Sequence, residues 1–196
     1  YVPAPLTMFE GIVKFPPSHY ARCRAGDFSL TPYGTMSAQA TGRVASVSCS
    51  EITQTLEAAV QRQLVADRPL GLYLSGGIDS SIILDCAARV LPSSPETFST
   101  GFALNDDEDR DKFNADAAIA RRTAAYYGST HHAVECAPGE VIPLLHTGAW
   151  HLDEPIANPT VIPMLRLAKA AKDAGMAVVL SGDGGDELFG GYARYR

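Results

Sequence analysis

From about Ser48 onward the chain alternates short apolar runs with longer stretches of helical spacing, and that alternation leaves it few architectures. Strand-like runs fall at Leu70–Leu74, Thr97–Phe102, Thr130–Glu135 and Met176–Leu180. Helices are expected at Ser80–Val90, Asn114–Tyr127, Gly139–Trp150 and Thr160–Ala174, with Gly128 and Gly175 as stops. An earlier stripe of Ile52, Leu56, Ala59, Val60 and Leu64 predicts a helix capped by Ser50 and ended by Pro69. Strands that alternate with helices pair in parallel through right-handed crossovers, so the expected fold is α/β, an open parallel sheet with helices on both faces. Ligands bind such sheets beyond the carboxyl ends of the strands, where strand order reverses. In the order 3-2-1-4 the first and fourth strands are neighbours, and the segments that follow them face each other across one crevice.

Those two segments are rich in glycine and aspartate. The first is Ser75-Gly76-Gly77-Ile78-Asp79-Ser80-Ser81; the second is Ser181-Gly182-Asp183-Gly184-Gly185-Asp186-Glu187. Glycines let backbone N–H groups converge on a phosphate, and a helix starting behind the loop adds its positive dipole end. The first loop lacks the Gly-Lys-Ser/Thr of a Walker A motif and is not Gly-x-Gly-x-x-Gly. Its distinguishing residue is Asp79, because a carboxylate beside a phosphate is repelled unless a cation bridges them. Mg²⁺ takes one or two carboxylates together with phosphate oxygens, so Asp79 and Asp186 are expected as its ligands. Ser75 and the N–H groups of Gly76, Gly77, Asp79 and Ser80 are expected to hold a pyrophosphate, with Ser80 and Ser81 hydroxyls as further donors. An ordinary βα turn with a Ser/Asp cap explains a lone Gly-Gly; the full string after a strand points to an ATP site.

A formal charge of −6 gives no basic footprint for nucleic acid, and no apolar stretch is long enough to span a membrane. Cys23, Cys49, Cys86 and Cys136 are too scattered for a zinc site or a disulfide framework, so reduced thiols in the cytoplasm are expected. Cys86, within an apolar helix, is expected in the core. The first residue is Tyr1, without signal-peptide character, so the chain reads as cut from a longer protein. Residues 1–45 are rich in proline and aromatics and lack helical period; short strands are expected at Ile12–Phe15 and Tyr20–Arg24 across Pro16-Pro17-Ser18. The expected division is therefore 1–45 and 46–196, and there is no internal repeat.

The first loop resembles that of the ATP pyrophosphatases, which include NAD, GMP and argininosuccinate synthetases. The run from Ser181 through Glu187 to Leu188-Phe189-Gly190-Gly191-Tyr192 narrows the resemblance to asparagine synthetases. Tyr1-Val2-Pro3-Ala4-Pro5, Phe9-Glu10-Gly11-Ile12, Leu64-Val65-Ala66-Asp67, Gly128 through His132 and His151-Leu152-Asp153-Glu154-Pro155 extend it along nearly the whole chain. It implies an adenine-nucleotide α-hydrolase-like fold of the PP-loop type. It also implies attack of aspartate on the α-phosphate of ATP, giving β-aspartyl-AMP and pyrophosphate, then displacement of AMP by ammonia drawn from glutamine in the full, homodimeric enzyme. By position it puts Leu74, Thr100, Ser181 and Gly182 around adenosine. Asp183 stands where many members carry a glutamate implicated in the acyl-adenylate steps. Asp153 and Glu154 are candidates for the substrate amino group, or else solvated turn residues. Relatives that activate other carboxylates, such as β-lactam synthetases and macrolactam-forming peptide cyclases, share these loops, and an ATP-binding fragment without turnover is a further alternative.

The departures are specific. The family's N-terminal glutaminase carries a catalytic cysteine, whereas residue 1 here is tyrosine and residues 1–45 match only the last part of that domain. Ser18 replaces a glycine usual between Pro-Pro and His-Tyr. The family's catalytic lysine lies beyond the position of Arg196, and neither loop contains a lysine or arginine; Arg194 and Arg196 follow closely in sequence. His131 and His132, adjacent on a strand, are expected to point to opposite faces and so not to share a metal.

Overall fold

The computed structural model describes residues 2–34, 46–106, 109, 112–153, 158 and 160–193. Its chain divides into two compact units, Tyr1–Val47 with Ala149–Ala157, and Ser48–Gly148 with Asn158–Arg196.

In the first unit, β1 (His19–Arg24) and β2 (Asp27–Pro32) form an antiparallel hairpin. The expected strand at Ile12–Phe15 is absent; the partner of β1 follows it instead of preceding it. The reason is the two-residue turn Ala25-Gly26, with φ of 51° and 92°, whose left-handed pair suits the twist of a tight hairpin. Pro16 and Pro17 have no N–H to give a ladder. Ser18, in the place of a glycine, takes φ 57°, so the turn keeps a left-handed shape despite the side chain.

The second unit opens with α1 (Cys49–Gln63), capped by Ser48 and not by Ser50. Ser48 N–H donates to Glu51 Oε2 at 2.8 Å and Glu51 N–H donates to Ser48 Oγ at 3.3 Å, a reciprocal box that Ser50 lacks the spacing to make with Glu51. The sequence then runs β3 (Leu70–Tyr73), α2 (Ile78–Val90), β4 (Glu96–Phe102), α3 (Ala115–Tyr126), β5 (His131–Cys136), a 3-10 turn (Pro138–Glu140), α4 (Val141–Leu152), α5 (Val161–Asp173), β6 (Val178–Leu180) and α6 (Gly185–Phe189).

All three strand pairings are parallel, in the order β5-β4-β3-β6. Counted from Leu70, that order is 3-2-1-4; the N-terminal hairpin shifts the chain numbering by two. Alternate residues feed two cores. Leu72 and Leu74 join Leu84 and Ala87 of α2 and Ala120 and Ala124 of α3 on one face. Tyr73 and Phe98 pack on the other against Leu167 and Ala171 of α5. Helices thus cover both faces, which lets β3 be apolar on both sides. Cys86 is buried and free, and burial pushes its thiol pKa up.

The histidine pair on β5 divides as expected. His131 bonds Thr97 Oγ1 at 2.9 Å and Ser99 Oγ at 3.0 Å, while His132 bonds Glu96 Oε2 at 2.7 Å and stacks on Phe98. These partners alternate along β4. His131 therefore satisfies two buried hydroxyls, and burial first, then Arg121 and His132, hold its pKa below the usual value. No described helix is long and apolar enough to cross a membrane.

Candidate functional site

The first loop leaves β3 after Leu74. Leu74 is buried at 1% exposure and its N–H donates to Phe98 O at 2.8 Å, so its side chain belongs to the core and only the rest of its main chain faces any ligand. Gly76, at φ 80°, makes the turn, and α2 begins directly after Gly77 with extended backbone at the cap. Ser80 lies inside this turn at 4% exposure. Its hydroxyl accepts from Ser75 N–H at 3.2 Å, meets Ser75 Oγ at 3.0 Å and donates to Gly77 O at 3.2 Å. Ser81 Oγ also donates to Gly77 O, at 2.8 Å. Both hydroxyls expected as phosphate donors thus brace the loop, and the N–H groups at the start of α2 are the donors left at its surface. Ser75 Oγ accepts from Gly77 N–H at 3.3 Å while remaining exposed.

The second loop leaves β6, the neighbour of β3, and its glycines are fitted to Asp79. A Cβ on Gly185 would fall 2.5 Å from Asp79 Cγ, and one on Gly182 would fall 2.9 Å from Ser80 N and 3.0 Å from Asp79 Cβ. The two loops are therefore in van der Waals contact through the start of α2. Asp186 packs its carboxylate against Gly191 and follows Gly185, the residue Asp79 touches. Asp183 is exposed, and its Oδ2 accepts from Ser181 Oγ at 2.8 Å. Among the described residues no group of three or more metal-ligating side chains is assembled. Asp79 and Asp186 are the carboxylates of the two loops that could serve a hard cation, which takes few protein carboxylates and several phosphate oxygens.

Thr100 is half-buried on β4, with its hydroxyl 3.5 Å from Cys136 Sγ. Asp153 takes φ 56° after α4 and belongs to the N-terminal unit. Glu154, Arg194 and Arg196 lie outside the described residues. Two contacts of the α3 start, one at the first loop and one at the end of β4, have no signal in the sequence. The carbonyl oxygen of Asp116, in the first turn of α3, occupies the space a Cβ on Gly76 would need. Asn114, just before α3, bonds both main-chain groups of Phe102. Asn114 carries a helix-start signal, but nothing local in the sequence points to Phe102.

The fold and the facing loops define an α/β protein whose glycine-rich loops meet beyond the carboxyl ends of adjacent parallel strands, where open sheets hold ligands. Residues 51–196 match the family described as Asparagine synthase, and the chain belongs to that family. A Mycobacterium bovis protein provisionally named asparagine synthetase (glutamine-hydrolyzing) is 37% identical over all of this chain and 29% of its own length. Asparagine synthetase (glutamine-hydrolyzing) 1 of Bacillus subtilis is 34% identical, again over all of this chain and 30% of that protein. Amidase chry2 of Gibberella zeae is 31% identical over 97% of this chain and 30% of that protein. The chain thus spans about three tenths of the length of these relatives.

Proposed function

We propose that this chain is the ATP-using part of a glutamine-dependent asparagine synthetase, with residues 1–45 the end of its glutaminase domain, acting in the cytoplasm within a homodimer. The β-carboxylate of aspartate attacks the α-phosphorus of ATP; the bond to the bridging oxygen breaks and pyrophosphate leaves with it. Ammonia, released from glutamine in the whole protein, then displaces AMP from β-aspartyl-AMP. The observation that carries this reading is the seating of Asp79 against Gly182 and Gly185, because a carboxylate held between two glycine-rich loops calls for a cation. Bound Mg²⁺ would supply charge neutralisation on the phosphates, with Asp79 and Asp186 as its protein ligands. The N–H groups of Gly76, Gly77, Asp79 and Ser80, with Ser75, hold the leaving pyrophosphate, and Ser80 and Ser81 keep that loop in shape. Leu74, Thr100, Ser181 and Gly182 border adenosine. Asp183 acts at the acyl-adenylate, with Asp153 and Glu154 as candidate contacts to the substrate.

The test is pyrophosphate release from ATP and Mg²⁺ with ammonia present. Release that requires aspartate and is lost in Asp79→Asn is expected. Release driven by a peptide carboxylate and not by aspartate would instead support a cyclase-type relative. Binding of ATP·Mg²⁺ without any AMP formation would identify a silent fragment, a reading favoured by the lack of lysine and arginine in both loops.

A further inference from the structure

We infer that Asn114 is a positioning residue for the pyrophosphate loop, acting through the first turn of α3; the inference rests on the ATP reading above. Its side chain makes two bonds to the main chain of one residue, accepting from Phe102 N–H at 2.7 Å and donating to Phe102 O at 2.9 Å. An amide is the one side chain that offers a donor and an acceptor in this planar arrangement, so it extends the end of β4 as a strand neighbour would. The clasp is close. A Cβ on Gly101 would lie 2.9 Å from Asn114 Oδ1. Asn114 makes no side-chain cap bond to α3, although it stands at the helix start. Its hydrogen-bonding capacity is used to fix where α3 begins relative to the carboxyl end of β4.

That starting point matters because the next turn touches the loop. The carbonyl oxygen of Asp116 sits where Gly76 would carry a Cβ, and Ile119 Cβ lies 3.1 Å from the same point. Gly76 is the left-handed residue on which the loop turns, so α3 forms its back wall. The line of contact runs from Phe102 through Asn114 to Asp116 O and Gly76, four groups in one compact unit. Loss of the clasp frees the first turn of α3 to shift along the sheet. The N–H groups that would face the β and γ phosphates then lose their support, while Thr100 on β4 and Ser181 after β6, assigned to adenosine, lie outside that line of contact. A displacement of about 1 Å takes an N–H···O bond of about 2.9 Å out of hydrogen-bonding range.

The experiment compares the Kd values of ATP·Mg²⁺ and of AMP, measured by calorimetry on the full chain and on Asn114→Ala, Asn114→Asp and Ala124→Gly. AMP lacks the leaving pyrophosphate, so the ratio of the two constants isolates the first loop. Asn114→Ala is expected to weaken ATP·Mg²⁺ at least tenfold and AMP no more than twofold. Asn114→Asp, which retains the acceptor for Phe102 N–H, should fall between it and the wild type, and remains informative if the alanine variant does not fold. Ala124→Gly loosens the buried last turn of α3 without touching its first turn, and should move both constants alike. Equal weakening of ATP·Mg²⁺ and AMP in the Asn114 variants, or no weakening, overturns the inference while leaving the ATP reading intact. A wild-type chain that binds neither nucleotide overturns that reading, and this inference with it.

Discussion

Gly182→Ala isolates the contact between the two loops. Gly182 does not have a left-handed φ, so the backbone itself accepts alanine and the whole effect comes from the new methyl. That methyl would lie 2.9 Å from Ser80 N, 3.0 Å from Asp79 Cβ and 3.2 Å from Asp79 C. Nonbonded carbons rest at about 3.5–4.0 Å, so the loops must open by roughly 0.5–1 Å. Neither neighbour can turn aside, because two of the three atoms are main chain in the first turn of α2 and Ser80 is tied to Ser75 and Gly77. Overpacking of this size costs about 1–3 kcal/mol of stability. At the site it moves the phosphate loop from the adenosine side by a distance that can cost up to about a hundredfold in rate, and ATP·Mg²⁺ affinity is expected to fall with it. Gly185→Ala is the matched comparison, since the nearest atoms its methyl meets are those of the Asp79 carboxylate, 2.5 Å away at Cγ, which can rotate aside. It should fold nearly as well as the wild type and need more Mg²⁺ for half-maximal ATP binding. Urea unfolding and calorimetric titration of ATP at several Mg²⁺ concentrations separate the two. Wild-type ATP·Mg²⁺ affinity in Gly182→Ala would refute the packed-loop geometry, and an unchanged Mg²⁺ requirement in Gly185→Ala would refute a metal role for Asp79.

Two further outcomes follow from the structure. His131 has a lowered pKa, so between that value and 6.5 the unfolded chain binds more protons than the folded one; its contribution is intact above about pH 6.5 and is lost as pH falls through this window. Urea midpoints measured across pH 5–7 should therefore decline towards acid in the wild type and decline less in His131→Gln. In the N-terminal hairpin, Ala25 occupies a left-handed position at a cost of about 1 kcal/mol, which asparagine tolerates better. Ala25→Asn should slow amide exchange of β1 and β2 by about two- to fivefold, and faster exchange would mean that the turn is not of this type.

What the sequence made legible is what its chemistry makes local. Parallel strands followed by helices announce themselves by period and by the glycines after Tyr127 and Ala174, and each strand end fell within about two residues of its expected place, as boundaries of this kind do. The hairpin was not legible as such, because Ala25 is a poor turn signal and both of its strands are largely exposed, so no apolar alternation fixed their register. Ser80 reads as a phosphate donor from its place in the string, yet its hydroxyl turns inward, a choice decided by Ser75 and Gly77 in three dimensions. Asn114 was invisible for the same reason at longer range: its partner is twelve residues away on another element.

The second loop carries this distinction furthest. Its glycines look uniform in sequence, the mark of a flexible phosphate-binding strip, but they answer to different constraints. Gly184 and Gly190 supply the left-handed turns at either end of α6, at φ 95° and 68°. Gly182 and Gly185 leave room for the start of α2 and for Asp79, and Gly191 leaves room for the carboxylate of Asp186. Three of the five are thus glycine because an aspartate of the site, or the backbone beside it, fills the space where Cβ would stand. The string is therefore a packing code between the two loops, and its match to the first loop is steric before it is electrostatic. A chain that kept the aspartates but lost Gly182 would retain every charged group assigned to the site while holding the two loops farther apart.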